Sequence, residues 1–175
     1  MKNLVPPRVI LVMGVTSSGK STVGEKLAKI LHWNFRDADS FHPPANVAKM
    51  SAGQPLDDTD RQPWLAAIAA FIDHSIAENH PAIVTCSALK RAYRSVIIGN
   101  RSQIRLVHLV GDKALIGRRM AERRNHFMPT SLLDSQFATL EAPQADEHPL
   151  NISIDAEPDA IVATIVAQLA LKPTA

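Results

Sequence analysis

Residues 8–22 join the pattern of a buried strand to a glycine-bounded loop, and this pairing is the strongest constraint on the fold. The run from Val9 to Met13 is uninterrupted, apolar and rich in β-branched residues, which predicts a central strand covered on both faces in a parallel sheet. The next eight residues, 14–21, match the pattern G-x-x-x-x-G-K-[ST]. Residues 21–31 then place apolar side chains at helical spacing. The motif therefore lies between a strand and a helix, where a phosphate-binding loop requires it.

Each residue type in this loop suits the binding of a phosphate chain. Glycines at both ends let the backbone turn tightly, so that successive N–H groups and the positive end of the helix dipole point at an anion. Lys20 would reach the outer phosphates, Ser21 would bind Mg²⁺, and Thr22 would lie near the inner phosphate. A turn that only caps a helix is the alternative, but the flanking strand and helix favour a mononucleotide site. The predicted nucleotide contacts are Gly14, Val15, Thr16, Ser17, Ser18, Gly19, Lys20, Ser21 and Thr22.

The order of apolar patterns along the 175 residues predicts a single α/β domain. Strand-like runs alternate with helical patterns, and neither an internal repeat nor a linker rich in glycine and serine divides the chain. This order predicts a doubly wound sheet of about five parallel strands with helices on both faces. The predicted strands are residues 9–13, 34–39, 82–86, 104–110 and 150–154.

Charge, cysteine content and hydropathy narrow the class of protein. A formal net charge of +2 is too small to indicate nucleic-acid binding. Cys86 is the single cysteine, which excludes an internal disulfide, and its apolar neighbours predict a buried thiol. The amino end lacks the apolar segment of a signal peptide, and no run is long enough to span a bilayer. We therefore expect a cytoplasmic protein that binds neither membrane nor nucleic acid.

An acidic pair ends the second predicted strand. If the extended conformation continues through Ala38, Asp37 and Asp39 point to the same side, because side chains alternate along a strand. Beside a phosphate-binding loop, one carboxylate would hold a magnesium-bound water and the other would accept a hydrogen bond from a substrate hydroxyl. A solvated turn with helix-capping aspartates is the alternative.

Basic residues follow at two places that suit an anionic substrate. Arg61 lies in an acidic loop, where a salt bridge to neighbouring aspartates and contact with a substrate anion are equally supported. Lys90 and Arg94 come after the third predicted strand, at the edge of the sheet where α/β proteins bind ligands. Their spacing places them on one helical face, where they could jointly hold a carboxylate, although a solvated helix face would give the same pattern.

Four arginines are clustered between residues 118 and 124 of this nearly neutral protein. Arg119 and Arg123 are one helical turn apart and would face the same side. They predict a mobile cationic lid at about residues 118–130 that closes over nucleotide phosphates. An arginine delivered to a phosphoryl-transfer transition state raises the rate by ~10³ to 10⁵. A solubilising surface helix is the alternative.

A GTPase switch is disfavoured because the sequence contains neither a D-x-x-G nor an N-K-x-D motif. The chain resembles instead the gluconate kinases of the small P-loop type, which are related to shikimate and nucleoside monophosphate kinases. The resemblance runs from residue 9 to about residue 154. It is carried by Met13–Val15, Gly19–Thr22, Asp37 with Asp39, His42 with Pro43, Asn46, Lys49 with Met50, Gly53, Pro55 with Leu56, Asp60 with Arg61, Pro63–Leu65, Cys86–Lys90, Tyr93 with Arg94, His126 with Phe127, Gln136 with Phe137, and Leu140 with Glu141. Ser17, Ala38 and Asn125 depart from it, because glycine is expected at these positions.

The resemblance implies transfer of the γ-phosphoryl group of ATP to the 6-hydroxyl of D-gluconate, with Mg²⁺ as cofactor, as a step of gluconate utilisation in carbohydrate metabolism. It implies that Lys20, Asp39 and Arg123 are catalytic, with Asp39 orienting or deprotonating the hydroxyl. The resemblance also implies that Ser21 binds the metal directly and that Asp37 binds it through water. Arg61, Lys90 and Arg94 would bind the sugar acid, and Arg119 would stack on adenine. The family also suggests a homodimer. A kinase for another small hydroxylated acid, such as shikimate, and a nucleotide-binding module without catalysis stay open.

Overall fold

The computed structural model of the chain describes residues 5–122 and 130–172. Its centre is a sheet of five strands in the order β2-β3-β1-β4-β5, and every neighbouring pair is parallel. The strands are β1 (Val9–Met13), β2 (Asn34–Asp37), β3 (Ala82–Thr85), β4 (Ile104–Val110) and β5 (Leu150–Ser153). The predicted sheet of parallel strands is thereby confirmed.

Helices fill the connections between the strands. The described part of the chain contains α1 (Lys20–Leu31), α2 (Pro44–Ser51), α3 (Asp58–Ala77), α4 (Arg91–Ile97), α5 (Lys113–Glu122), α6 (Thr130–Thr139) and α7 (Pro158–Gln168). Two short 3₁₀ helices span Ala38–Phe41 and Ala145–Glu147. Within these described ranges, no helix combines the length and the apolar character needed to cross a membrane.

Strand β1 is the centre of the fold because all five of its side chains are fully buried. Ile10 and Val12 pack into a core that includes side chains of α1 and α7. Val9, Leu11 and Met13 pack into a second core with side chains of α3 and α4. Because successive side chains point to opposite faces, one strand contributes to both cores and needs no polar positions. Helices therefore cover both faces of the sheet, as the doubly wound prediction requires.

The carboxyl ends of β1, β2 and β3 meet at one edge of the sheet. Thr85 at the end of β3 pairs in register with Val12 of β1 on one side and with Asp37 of β2 on the other. The segments that follow these three strands consequently converge, at the place where open α/β sheets bind ligands.

Candidate active site

An open cavity of about 820 Å³ lies at this edge of the sheet. Its lining includes residues of the phosphate loop (residues 14–21), a polar wall that consists of Asp39, Arg61, Lys90 and Tyr93, and one face of α6. Its volume is within the range of small-molecule sites. The structure thus brings together most of the predicted site residues that it describes.

The phosphate loop has the tight backbone that its glycines predict. Gly14 and Gly19 have φ angles of +157° and +93°, in the region that favours glycine. A Cβ atom at Gly14 would lie 2.6 Å from Ser18 Oγ, so this position has no room for a side chain. Ser17 also has a positive φ, +59°, which explains why glycine is expected there. The serine therefore holds a strained backbone at a functional position.

Lys20 lies over the phosphate loop. Its Nζ donates a hydrogen bond of 2.8 Å to the carbonyl oxygen of Val15. The side chain also lines the cavity together with Thr16, Ser17 and Ser21. An ammonium group and loop residues therefore share one space, which is suited to a chain of phosphates.

Ser21 and Asp37 supply a pair of oxygen atoms suited to Mg²⁺. Ser21 Oγ donates a hydrogen bond of 3.2 Å to Asp37 Oδ2, and both residues line the cavity. Mg²⁺ prefers oxygen ligands and usually binds through one or two carboxylates, waters and substrate phosphates. Among the residues that the structure describes, no group of three or more His, Cys, Asp and Glu could hold a metal ion. This composition fits an ion that binds together with a nucleotide.

The chain turns between Asp37 and Asp39, which corrects the expectation of a strand through residue 39. Strand β2 ends at Asp37, and residues 38–41 form a 3₁₀ helix. Asp37 caps this helix because its Oδ1 accepts a hydrogen bond of 3.0 Å from the backbone N–H of Asp39. Both carboxylates nevertheless line the cavity. A capping turn, and not strand alternation, brings the acidic pair together.

Aromatic contacts support the turn that carries Asp39. Trp64 Nε1 donates a hydrogen bond of 2.7 Å to the carbonyl oxygen of Ala38. The His42 ring stacks on Trp64 with the ring centroids 4.5 Å apart, and His42 Nε2 lies 3.9 Å from Asp39 Oδ1. Trp64 is buried in the core, and it also borders the cavity. Only the resemblance singled out His42, and no pattern in the sequence predicted that it lies beside Asp39.

Asp39 and His42 both have a shifted pKa. Desolvation raises the pKa of Asp39, and the Asp37 carboxylate raises it further, whereas His42 and Lys20 lower it. The Asp39 side chain is 89% exposed, so solvent screening keeps the rise in its pKa small. Burial lowers the pKa of His42, which favours the neutral ring. A carboxylate with a raised pKa is a stronger proton acceptor for a hydroxyl.

Asp58, the first residue of α3, holds part of the polar wall together. Lys90 Nζ donates to both of its carboxylate oxygens at 2.8 and 2.9 Å, and the Tyr93 hydroxyl donates to Oδ1 at 2.5 Å. The Arg61 guanidinium donates to the carbonyl oxygen of Leu56 and lies 5.8 Å from the centre of the Tyr93 ring. Arg61 makes no ion pair with a described carboxylate, so the salt-bridge alternative does not hold within these ranges. Asp58 balances the charge of Lys90, whereas no carboxylate in the described part of the chain pairs with Arg61.

Arg94 lies away from the cavity, which corrects the prediction that it holds a substrate carboxylate with Lys90. Its side chain is 1% exposed, and its guanidinium forms a bidentate pair with Glu147 at 2.5 and 2.9 Å. Nη1 also donates to the carbonyl oxygens of Ala88 and Leu89. The prediction that Lys90 and Arg94 share one helical face is wrong, because Lys90 precedes α4 and has an extended backbone, with φ −94° and ψ 143°.

The structure describes one of the two predicted lid arginines. Arg119 Nη2 donates hydrogen bonds of 2.6 and 3.4 Å to the carbonyl oxygens of Ile154 and Ala156, which ties α5 to the segment after β5. Arg123 lies outside the described residues, as does the part of the predicted lid from residue 123 to residue 129.

Helix α6 contributes to the cavity in a way that patterns in the sequence did not predict. Gln136 Oε1 accepts a hydrogen bond of 2.6 Å from the backbone N–H of Thr16, across 120 residues of sequence. Ser135 and Thr139 line the same cavity. The resemblance to gluconate kinases, which includes Gln136 and Phe137, was the only signal that singled out this position.

Comparisons with known proteins agree with this geometry. A family model described as an AAA domain matches residues 9–143. A gluconokinase from Gluconobacter oxydans (strain 621H) is 45% identical over 160 residues, which are 91% of this chain and 90% of the relative. The crystal structure of a gluconokinase from Sinorhizobium meliloti 1021 has a TM-score of 0.82 and 41% identity, and the match covers 94% of this chain and 92% of that one. The shikimate kinase from Bacteroides thetaiotaomicron, with a TM-score of 0.67, 18% identity and coverage of 93% and 98%, shares the fold.

Proposed function

The chain belongs to the gluconokinase family, and we propose that it transfers the γ-phosphoryl group of ATP to the 6-hydroxyl of D-gluconate, forming 6-phospho-D-gluconate and ADP. The observation that carries this proposal is a single cavity lined by both the phosphate loop and the polar wall. Such a cavity can hold a phosphate donor and a polyhydroxylated acid together. Positioning and charge neutralisation supply most of the rate in phosphoryl transfer, so little covalent work is left to the protein.

The phosphate loop is the proposed site of the ATP phosphates. Its backbone N–H groups and the amino end of α1 would hold phosphate oxygens, and Lys20 would neutralise the outer ones. Thr22 would contact the inner phosphate. Ser21 and Asp37, whose side-chain oxygens lie 3.2 Å apart, would hold Mg²⁺, with Asp37 acting through water. The bound ion would neutralise charge on the phosphate oxygens.

Asp39 is the proposed acceptor for the attacking hydroxyl. It lines the same cavity as Lys20, and its raised pKa increases its affinity for a proton. The carboxylate would orient the 6-hydroxyl of gluconate and receive its proton as the bond from oxygen to phosphorus forms. Asp37 would not receive this proton, because its carboxylate oxygens already contact Ser21 and the backbone N–H of Asp39.

Arg61 is the proposed partner of the gluconate carboxylate. Its guanidinium borders the cavity and has no described carboxylate as a partner, so a substrate anion would balance its charge. Lys90 would donate hydrogen bonds to substrate hydroxyls, since Asp58 already balances its charge. This division of roles suits a substrate with one carboxylate and many hydroxyls.

The other roles come from the resemblance and stay predictions. Arg119 would stack on adenine with a guanidinium that the Ile154 and Ala156 carbonyl groups hold in place. Arg123 would close onto the phosphates. A homodimer and a cytoplasmic location are also expected from the resemblance. Sedimentation analysis would test whether the protein is a dimer.

An assay that couples ADP release to a spectroscopic signal tests the proposed function. Gluconate, other sugar acids and shikimate would be compared as acceptors, and gluconate is expected to give the highest kcat/KM. Phosphorus NMR of the product should place the phosphate on the 6-oxygen. A preference for shikimate would instead identify a kinase for another acid. Binding of ATP without turnover of any acceptor would identify a nucleotide-binding module without catalysis.

A further inference from the structure

Gln136 places a side-chain oxygen on the phosphate loop. Its Oε1 accepts a hydrogen bond of 2.6 Å from the backbone N–H of Thr16. Lys20 Nζ lies 2.8 Å from the carbonyl oxygen of Val15, the residue before Thr16. The lysine of this motif reaches the β- and γ-phosphates, so the Thr16 amide belongs to the outer end of the phosphate site. Gln136 therefore contacts the loop where an outer phosphate would bind.

The Gln136 carbonyl and a phosphate oxygen would compete for the same donor. A backbone amide has a single N–H, so a good hydrogen bond to one acceptor is made at the expense of the other. A charged phosphate is the stronger acceptor, since hydrogen bonds to ionised groups are about twice as strong as those between neutral groups. A γ-phosphate at this position is therefore expected to displace the Gln136 carbonyl.

Helix α6 connects this contact to the polar wall. Leu133 anchors the helix in the core. Beyond its carboxyl end, the backbone N–H of Glu141 donates a hydrogen bond of 2.9 Å to the carbonyl oxygen of Leu89, and Glu141 Oε2 accepts one of 2.7 Å from the backbone N–H of Arg91. Leu89 and Arg91 flank Lys90 of the polar wall. The helix and the residues that follow it thus contact both sides of the proposed transfer site.

We propose that Gln136 is a positioning residue that couples the outer phosphate to the acceptor. Before ATP binds, its carbonyl oxygen holds the Thr16 amide. When a γ-phosphate takes the Thr16 N–H, the released carboxamide turns into the cavity beside Ser135 and Thr139, where its NH₂ group donates to an acceptor hydroxyl. ADP lacks the γ-phosphate and leaves the contact in place. Only the contact with the acceptor rests on the proposed function.

Calorimetric titration with ADP and with the non-hydrolysable analogue AMP-PNP tests the competition. Gln136→Leu keeps a side chain of similar length but removes the competing oxygen, so the Kd for AMP-PNP should fall roughly two- to tenfold, as expected for one neutral hydrogen bond. The Kd for ADP should not change. Gln136→Glu should raise the Kd for AMP-PNP more than that for ADP, because a carboxylate repels the γ-phosphate. Asp134→Asn is the control on the same helix, since Asp134 pairs with Lys113 at 2.7 Å.

Kinetics give a second readout. Gln136→Leu is expected to lower kcat and raise the KM for gluconate while the KM for ATP falls, a split that a general loss of structure would not produce. If this variant does not fold, Gln136→Asn replaces it, because its carboxamide is one methylene shorter. The proposal is overturned if the affinities for AMP-PNP and ADP change in parallel, or if Gln136→Leu weakens AMP-PNP binding. The titrations contain no gluconate, so they test the competition for the Thr16 N–H by themselves. If the nucleotide affinities change as expected but the wild-type protein does not phosphorylate gluconate, the proposed function is refuted and the competition is supported.

Discussion

The indole N–H of Trp64 donates a hydrogen bond of 2.7 Å to the carbonyl oxygen of Ala38, the residue between the two carboxylates of the cavity. Ala38 is fully buried, and Trp64 is 6% exposed. Since Trp64 belongs to α3, the core packing of that helix determines where the turn after β2 lies. The direction of Asp39 consequently depends on a side chain of the core.

Trp64→Phe is expected to lower both stability and turnover. Phenylalanine keeps an aromatic ring in the core but leaves the buried carbonyl group of Ala38 without its donor, which costs about 1–3 kcal/mol. Urea denaturation would measure the loss in the free energy of unfolding, and kcat should fall because Asp39 is held less firmly. Trp33→Phe is the matched control, since Trp33 precedes the amino end of β2. Reduced stability with unchanged kcat would show that Asp39 is positioned without Trp64.

Asp39→Asn should reduce kcat by ~10² to 10⁴ and leave nucleotide affinity nearly unchanged, because it removes the proton acceptor and keeps the phosphate site. Fluorescence titration with ATP and steady-state kinetics would separate the two effects. Turnover at the wild-type rate would remove Asp39 from catalysis.

The same variant should melt at a higher temperature than the wild type at neutral pH. Desolvation and Asp37 raise the pKa of Asp39, so its ionisation disfavours the folded state. This penalty is absent below the ordinary pKa of 3.8 and grows as the pH rises through the raised pKa. The difference in melting temperature should therefore disappear at acid pH. A difference that grows on acidification would contradict the assigned environment.

Arg61→Ala is expected to raise the KM for gluconate at least tenfold, on the order of one charge-assisted hydrogen bond, with little change in the KM for ATP. Arg36→Ala serves as the control because Arg36 lies over the Phe71 ring, outside the cavity lining. Kinetics with gluconate as the varied substrate would measure the effect. An unchanged KM for gluconate would show that another group binds the carboxylate.

The phosphate loop could be predicted from the sequence because its signal is local. The glycines, Lys20 and Ser21 follow one another directly, and the backbone of this segment is dictated by its own residues. Ser17 illustrates the same point, since the expectation of glycine there matches a φ of +59°. The alternation of apolar runs with helical patterns likewise predicted the five parallel strands.

The predictions that failed concern residues whose environment is set by distant parts of the chain. Helical spacing suggested that Arg94 faces a substrate, but Glu147, which lies 53 residues away, takes its guanidinium into a buried pair. The contact between Gln136 and Thr16 spans 120 residues and has no local pattern. The strand predicted through residue 39 ends instead at Asp37, in the kind of capping turn that was the alternative, and the indole donor that holds this turn in place comes from α3.

Arg94→Met is expected to lower the free energy of unfolding, and its effect should not be limited to gluconate affinity. Removal of one partner from a buried ion pair costs about 3–5 kcal/mol, whereas the double variant Arg94→Met with Glu147→Leu should recover part of the loss. Arg94 lowers the pKa of Glu147, so the contribution of the pair is present above the ordinary pKa of 4.5 and is lost as the pH falls. Chemical denaturation at two pH values would measure this. Normal stability with weakened gluconate binding would return Arg94 to the substrate site.

If the phosphate loop and the polar wall form one site for phosphoryl transfer, the Lys20 ammonium group is indispensable. The most direct measurement is the rate of 6-phosphogluconate formation from ATP and gluconate by Lys20→Ala, with circular dichroism to verify the fold. Lys26→Ala is the matched control, because Lys26 belongs to the same helix and pairs with Asp159 at 2.7 Å. We expect Lys20→Ala to be folded and inactive and Lys26→Ala to retain the wild-type rate. Formation of 6-phosphogluconate at the wild-type rate by Lys20→Ala would contradict the assignment of this site.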